Sequence, residues 1–434
     1  MAVVEQVSSW AASDVGRVRD HNEDNFLVDK NLNLFAVADG MGGHAAGEVA
    51  STLAVQTVHE YLIAHRDLLD LARSVSHDTQ GGDEIQRRML RTIEDAVKKA
   101  SAAIYRESEL DENKRGMGTT LSLLLLGDHF GFVGHVGDSR IYQLRMGEVK
   151  QLTEDHSLIN ALIKEGRLKP EDAATVEFKN AVTRAVGVYE NVDVETFSFP
   201  VLPGDQFLLA SDGLTGYLEP QELPAYMGRA DVRTIPPSLI ELANQRGGKD
   251  NITSVVVRVV DVQGVAQERF RDLNFRMESL SKMPFFKYLG YADLLKVFVN
   301  MQTVRFSKGM PVFAEGDNGA DLFLVLSGMV RVHHGDNELA RLGPGAHFGE
   351  MALIDQAPRS ASISTVEDSL LLRLDRKMFF TLIRKESELA KKVLWNMLQV
   401  LSGRLRTTNR DLEQAREAAG PQEIPIDTVE LFGE

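Results

Sequence analysis

Four apolar runs in this chain meet an acidic residue set beside a small or polar one: LNLFAVAD (32–39), FGFVGHVGD (130–138), DQFLLASD (205–212) and KDNITSVVVRVV (249–260). Their length and β-branched or aromatic content read as strands. Laid side by side, such strands bring Asp39, Asp138, Asp212 and Asp250 to one edge. A carboxylate removed from water must be protonated, matched by Arg or Lys, or shared around cations. Any one of these aspartates alone reads as a turn former or helix cap. Together they point to cations, and a chain without cysteine offers oxygen ligands that favour hard ions, magnesium or manganese, keeping several waters.

The lack of cysteine also removes disulfides, thiolate catalysis and finger-type zinc sites. A formal net charge of −15 argues against nucleic acid or an anionic membrane as the main partner. The start, MAVVEQVSSW, has neither the basic end nor the apolar core of a signal peptide, and LSLLLLG (121–127) is too short to cross a bilayer. The expectation is a cytoplasmic protein that binds no nucleic acid and no membrane.

Up to residue 262, strand-like runs alternate with two long helix-like stretches, Ala45 to about His65 and Glu84 to about Glu107. Next, Phe270, Leu273, Met277 and Leu280 fall on one face of an amphipathic helix, which predicts a stiff connector over 263–284. From 285 the pattern changes to short strands with glycine-rich turns, as in a small β-barrel or jelly roll. From Glu386 to Ala419 the chain reads as helix, with Leu394, Leu398, Leu401, Leu405 and Leu412 near heptad spacing. That stripe packs either on its own barrel or on another subunit, and 420–434 reads as a loose tail.

DGMGGHA after the strand LNLFAVA has the form of a dinucleotide fingerprint. Asp39 would then aim a bare charge at a pyrophosphate, and no run of βαβ units follows. The fingerprint reading is set aside.

RVRDHNED (17–24), VADGMGGHAAGE (37–48), MGTT (117–120), GHVGDSRIY (134–142), TEDHS (153–157), VTRAVG (182–187), LLASDGL (208–214) and KDNIT (249–253) occur in a telling order. Over about residues 8–262 the chain resembles the type-2C metal-dependent protein serine/threonine phosphatases. The resemblance implies an α+β fold, an αββα sandwich of two antiparallel sheets over residues 1–262, with two or three Mn2+ or Mg2+ ions. It implies that Asp39 bridges two metals, that the Gly40 carbonyl binds one of them and that Asp212 and Asp250 complete the other. Glu23 and Asp24 hold metal-bound waters, Asp138 with Asp212 shapes a third site, and Arg19 grips the substrate phosphate. The implied reaction is hydrolysis of phosphoserine or phosphothreonine proteins by a metal-activated water, without a phosphoenzyme.

Two departures accompany the resemblance. Animal members carry a histidine directly after the Asp-Gly pair, where this chain has Met41; His44 three residues on, a metal-bound water or nothing takes the donor's place, and His44 reads equally as a structural residue at the helix start. Segment 158–181 resembles the family's flap but ends in VEFKN, where bacterial relatives commonly have His-Pro.

FGEMALIDQAPRSAS (348–362) resembles the phosphate-binding cassette of cyclic-nucleotide-binding domains, supported by Gly328 and by GPGAHFGE (343–350). This second resemblance covers about 285–405 and implies a jelly roll with flanking helices over 285–419. Glu350 then accepts from the ribose 2′-hydroxyl and Arg359 pairs with the cyclic phosphate, one charge met by two donors of a guanidinium. Gly349, Met351, Ala352 and Ser360 complete the nucleotide set, with cAMP slightly preferred over cGMP. The expectation is a phosphatase regulated by a cyclic nucleotide. Its alternatives are a constitutive phosphatase that homodimerises through the C-terminal helix, and a nucleotide receptor on a non-catalytic scaffold.

Overall fold

The computed structural model describes residues 7–42, 46–75, 81–164, 167–169, 181–261, 266–287, 289–350, 358–385 and 387–419. His44, the VEFKN end of segment 158–181, Met351, Ala352 and residues 420–434 lie outside them. The chain divides into two compact units, one of residues up to Met277 with Tyr291–Met301, the other of Glu278–Gly290 and the residues from Gln302 on.

The first unit begins with β1 (Val7–Asp14), β2 (Asp24–Asp29), β3 (Leu34–Met41) and the helix α1 (Ala46–Ala64). The helices α2 (Arg66–Arg73) and α3 (Gly82–Leu110) come next, then β4 (Gly118–Thr119), β5 (Leu121–Leu126), β6 (Phe130–Val136), β7 (Arg140–Arg145) and β8 (Glu148–Gln151). After α4 (Leu158–Lys164) come β9 (Glu195–Pro200), β10 (Gln206–Ala210), α5 (Asp212–Thr215), α6 (Leu223–Met227), α7 (Ile235–Gln245) and β11 (Ile252–Val259). One antiparallel sheet runs β1-β11-β10-β7-β8 and the other β2-β3-β5-β6-β9, with β4 paired to β3.

Alternation along β3 explains the layering. Leu34, Ala36 and Ala38 pack with the α1 and α3 residues Ala50, Ala54, Ile93 and Val97, while Phe35 and Val37, between them in sequence, are equally buried. The second face meets the other sheet, where the rings of Phe199 on β9 and Phe207 on β10 lie 5.6 Å apart. Sheets covered on both faces have near-continuous apolar strands, as LSLLLL in β5 is. The other sheet buries Leu208, Ala210, Ile252 and Val256 against Leu239, Ile240 and Ala243 of α7.

Within 263–284 lies helix α8 (Ala266–Ser281), with Leu273, Met277 and Leu280 buried and the Phe270 side chain outside the described residues. Helix α9 (Tyr291–Phe298) belongs to the first unit, where it packs along β9, the edge strand of its sheet. Leu294, Leu295, Lys296, Val297 and Phe298 are all buried, and covering β9 shields an otherwise exposed sheet edge.

The second unit is a jelly roll of two four-stranded sheets. One runs β12 (Gln302–Phe306), β19 (Ser369–Leu374), β14 (Leu322–Ser327), β17 (His347–Phe348). The other runs β13 (Pro311–Phe313), β18 (Ser362–Thr365), β15 (Val330–His334), β16 (Asn337–Leu342). The β14–β15 turn needs Gly328, whose φ is +86° and whose added Cβ would stand 2.5 Å from the Asp368 carbonyl oxygen. Phe313, Phe323 and Phe348 fill the interior with ring centroids 5.3–6.0 Å apart. The last helix, Ser387–Ala419, buries Leu389, Val393 and Met397; of the heptad stripe Leu394, Leu398 and Leu405 are exposed, as is neighbouring Trp395, Leu401 is half-buried, and the Leu412 side chain lies outside the described residues. Among the described residues no helix is long and apolar enough to cross a membrane.

Candidate metal centre and nucleotide pocket

The antiparallel register of β2 and β3 sets Asp24 directly opposite Asp39. Like charges facing each other across a ladder repel, so something else must hold this end of the sheet. The backbone at Asp39 is fixed by Thr120, whose hydroxyl accepts from the Asp39 N–H at 3.0 Å, and by the Thr119 hydroxyl, which donates to the Asp39 carbonyl at 2.9 Å. Next to it Gly40 has no room for a side chain: a Cβ would lie 2.2 Å from the Gly47 carbonyl oxygen and 2.5 Å from that of Glu23.

From the other sheet, Ser211 directly follows β10 and Thr253 lies in β11. Their hydroxyls donate to one Asp24 carboxylate oxygen at 2.8 and 2.6 Å, and the buried second oxygen, Oδ1, has no partner. Asp212 opens α5 immediately after Ser211. Asn251, beside Asp250, accepts from the Glu23 N–H at 2.8 Å and donates to the carbonyls of Val15 and His21. Glu23 is itself buried with Oε1 unpartnered. Arg19 donates to Asp250 at 2.8 Å with half its side chain exposed, as a group that must also meet substrate would be.

Electrostatics join these acids into one cluster. Burial, opposed by the Ser211 and Thr253 hydroxyls and reinforced by Asp212 and Asp250, raises Asp24 to about 7. Burial and then Asp212 and Asp155 raise Asp138 to about 7. Asp39 is pushed well above the ordinary carboxylate value by burial and by Asp24, Asp212 and Asp138, and Asp212 is raised by burial and Asp250. Burial also raises Glu23. The structure thus brings together Arg19, Glu23, Asp24, Asp39, Gly40, Asp138, Asp212 and Asp250. Orphaned buried oxygens on Glu23 and Asp24, carboxylates raised by one another, and an all-oxygen donor set are what divalent cations would satisfy.

In the barrel, Arg359 is buried, its Nη1 and Nη2 donating to the carbonyls of Gly349 at 3.2 Å and Asp321 at 3.0 Å. Its guanidinium lies 4.1 Å from the centroid of the Phe313 ring, and its buried Nε has no partner. Burial pulls the Arg359 pKa down, opposed by Asp321, Asp317 and Glu350. The cradle is glycine: a Cβ on Gly349 would stand 2.6 Å from Nη1, and one on Gly319 2.9 Å from Nε. Glu350 is buried at the same turn, while Ser360 is exposed.

The MGTT, LLASDGL and KDNIT blocks also carry Thr120, Ser211, Asn251 and Thr253, whose roles the sequence alone does not announce beyond their falling in the same blocks as the acids. Nor does the sequence announce a second cluster, His135, His156 and Glu195, whose ligand-type atoms lie within 4.8 Å of one another.

Buried carboxylates with orphaned oxygens on a two-sheet sandwich suit a metal-dependent hydrolase, and the buried arginine of the jelly roll suits an anion. Residues 17–246 match the protein phosphatase 2C family and residues 303–386 the cyclic nucleotide-binding domain. The serine/threonine phosphatase stp of Listeria innocua is 39% identical over 251 residues, 56% of this chain and 93% of that protein. PstP of Mycobacterium tuberculosis is 39% identical over 263 residues, 60% of this chain and 47% of that longer protein. The crystal structure of the M. tuberculosis phosphatase PstP/Ppp superposes with a TM-score of 0.51 at 33% identity, covering 58% of this chain and 99% of that one. The chain belongs to the protein phosphatase 2C family; it is a serine/threonine phosphatase that carries a cyclic nucleotide-binding domain.

Proposed function

We propose that this phosphatase acts in the cytoplasm on phosphoserine and phosphothreonine proteins through two or three Mn2+ or Mg2+ ions, and that a cyclic nucleotide in the barrel tunes its rate. The observation that carries the catalytic reading is the buried carboxylate cluster with unpartnered oxygens on Glu23 and Asp24. Asp39, the Gly40 carbonyl, Asp212 and Asp250 hold the principal ions, Glu23 and Asp24 hold their waters, and Asp138 with Asp212 serves a third ion. Bound cations supply an activated water and neutralise phosphoryl charge. Arg19 orients the phosphate, and its ion pair with Asp250 keeps the guanidinium at the rim of the site. Thr253 and Ser211 fix the Asp24 carboxylate, and Asn251 ties the Glu23 backbone to the Asp250 strand.

The regulatory reading rests on Arg359, a buried cation with one unpartnered N–H in a cradle only glycine permits. A phosphodiester would satisfy that donor, with Glu350 taking the ribose hydroxyl and Gly349, Met351, Ala352 and Ser360 closing the site. cAMP is the slightly preferred ligand. Coupling runs through 263–284 and 386–419, because a ligand shifts activity only by binding two arrangements unequally. A homodimer through the last helix accompanies this reading. The test is phosphate release from a phosphothreonine peptide with Mn2+ and cAMP, cGMP or neither. A nucleotide-dependent rate that Arg359→Ala abolishes is expected; a rate indifferent to both nucleotides removes the regulatory reading and leaves the phosphatase.

A further inference from the structure

The cluster of His135, His156 and Glu195 has the composition of a metal site, but its cation is already built in. The Lys296 ammonium lies 2.6 Å from Glu195 Oε1, with both side chains more than nine-tenths buried, and 5.4 Å from the Phe197 ring centroid. Both nitrogens of His135 are committed, one to the Ser122 hydroxyl at 2.9 Å and the other to the Glu154 carbonyl at 3.0 Å. Glu195 Oε2, buried without a hydrogen-bond partner, faces His156 Nε2 at 3.9 Å, a charge contact and not a hydrogen bond. Burial would raise the Glu195 carboxyl; Lys296 first, then the histidines, overcome this and hold it at about 2.

His156 stands between two functional segments. Its Nδ1 accepts from the Gly137 N–H at 3.2 Å, and its own N–H donates to the Gly137 carbonyl at 2.8 Å. Its carbonyl accepts from Thr183 N–H at 2.7 Å, beside the Ser157–Val182 bridge where segment 158–181 leaves and returns. Gly137 precedes Asp138 and has φ of +107°, so the turn presenting that carboxylate is held on one side by His156.

We propose that Lys296 is a positioning residue of the catalytic centre. It is supplied from beyond the segment that matches the phosphatase family, and it locks Glu195, and through Glu195 His156, against the Gly137–Asp138 turn and the stem of segment 158–181. Asn300 secures the helix by donating to the Lys296 carbonyl at 2.6 Å. The barrel's first strand starts at Gln302, four residues past the end of α9, so the second unit has a short covalent handle on this lock. The link to catalysis rests on reading Asp138 as a metal ligand.

Removing the ammonium alone strands a buried carboxylate and risks unfolding, so the decisive variant is the neutral, isosteric pair Glu195→Gln/Lys296→Met in the full chain. Two readouts are taken: the Mn2+ concentration for half-maximal release from a phosphothreonine peptide, and hydrogen exchange at 137–139, 156–158 and 182–183. The expected result is roughly a tenfold rise in the Mn2+ requirement with kcat less affected, faster exchange confined to those segments, and partial recovery in Lys296→Arg. Exchange equal to wild type in the neutral pair overturns the positioning role. Asp138→Ala separates the two readings: if it leaves Mn2+ activation unchanged, the metal assignment fails, and the exchange readout alone judges Lys296.

Discussion

Asp24 and Asp39 occupy directly opposed positions on β2 and β3, two carboxylates paired across an antiparallel ladder with one Asp24 oxygen buried and unpartnered. Without cations this end of the sheet keeps protons instead. Asp24 and Asp138 at about 7 stand above their ordinary 3.8, so between those values the folded chain holds protons that the unfolded chain has released. Stability from this source is full below about pH 4 and is lost as pH rises through about 7. Glu195, held at about 2 against an ordinary 4.5, loses its contribution only below this range. Thermal unfolding in EDTA should therefore show Tm falling from about pH 5 to pH 8, and Mn2+ should raise Tm more at the upper end. A chelated protein that becomes more stable towards pH 8 would contradict the carboxylate assignment.

Replacing Asp39 by Asn separates stability from catalysis. The amide keeps the shape and removes one member of a self-repelling set, so the metal-free chain should gain Tm near pH 8. Phosphate release should fall to background if Asp39 holds the ions as proposed. Turnover at the wild-type rate would show the ions to be held elsewhere.

The hydroxyls behind the acids carry a graded prediction. Thr253→Val deletes the 2.6 Å hydrogen bond to Asp24 while keeping a β-branched side chain in β11. The cost should be about 10- to 100-fold in Mn2+ affinity or activity, as for supporting partners of metal ligands generally. Titrating activity with Mn2+ measures it, and an unchanged midpoint would mean that Ser211 alone orients Asp24.

Asp39, Asp138, Asp212 and Asp250 were legible because each stands at one end of an apolar run, and in β3 the alternation of Leu34, Ala36 and Ala38 with Phe35 and Val37 also fixes the sheet. Thr253 and Ser211 were not, since a hydroxyl in a strand looks like any β-former until the opposite sheet brings Asp24 to it. Lys296 was hidden for a stronger reason. In YADLLKVF a lysine reads as the wet face of a helix, and nothing local announces that Glu195, a hundred residues earlier in the chain, waits on β9 to receive it. In the barrel, the Glu350 and Arg359 spacing was readable, but the stacking of Arg359 on Phe313 depends on the fold bringing β13 beneath it.

That stacking makes Arg359 a sensitive reporter of the nucleotide. Arg359→Ala removes the guanidinium from its glycine cradle and should weaken cAMP binding by at least ~2 kcal/mol, about a 30-fold rise in Kd. Isothermal titration on the full chain reads this directly, and basal phosphatase turnover without nucleotide gives the control for folding. Equal affinity in both proteins would move the phosphate away from Arg359.

The last helix buries Leu389, Val393 and Met397 and leaves Leu394, Trp395, Leu398 and Leu405 in water, with the two outer leucines about 63% exposed. An exposed apolar stripe of that spacing is what a second helix of the same kind would cover. Leu398→Glu/Leu405→Glu should leave the fold and the Tm close to wild type, since neither side chain supports the core. Sedimentation velocity should then show wild type as a dimer and the variant as a monomer. If wild type sediments as a monomer across micromolar concentrations, the homodimer is removed and the stripe needs a different occupant.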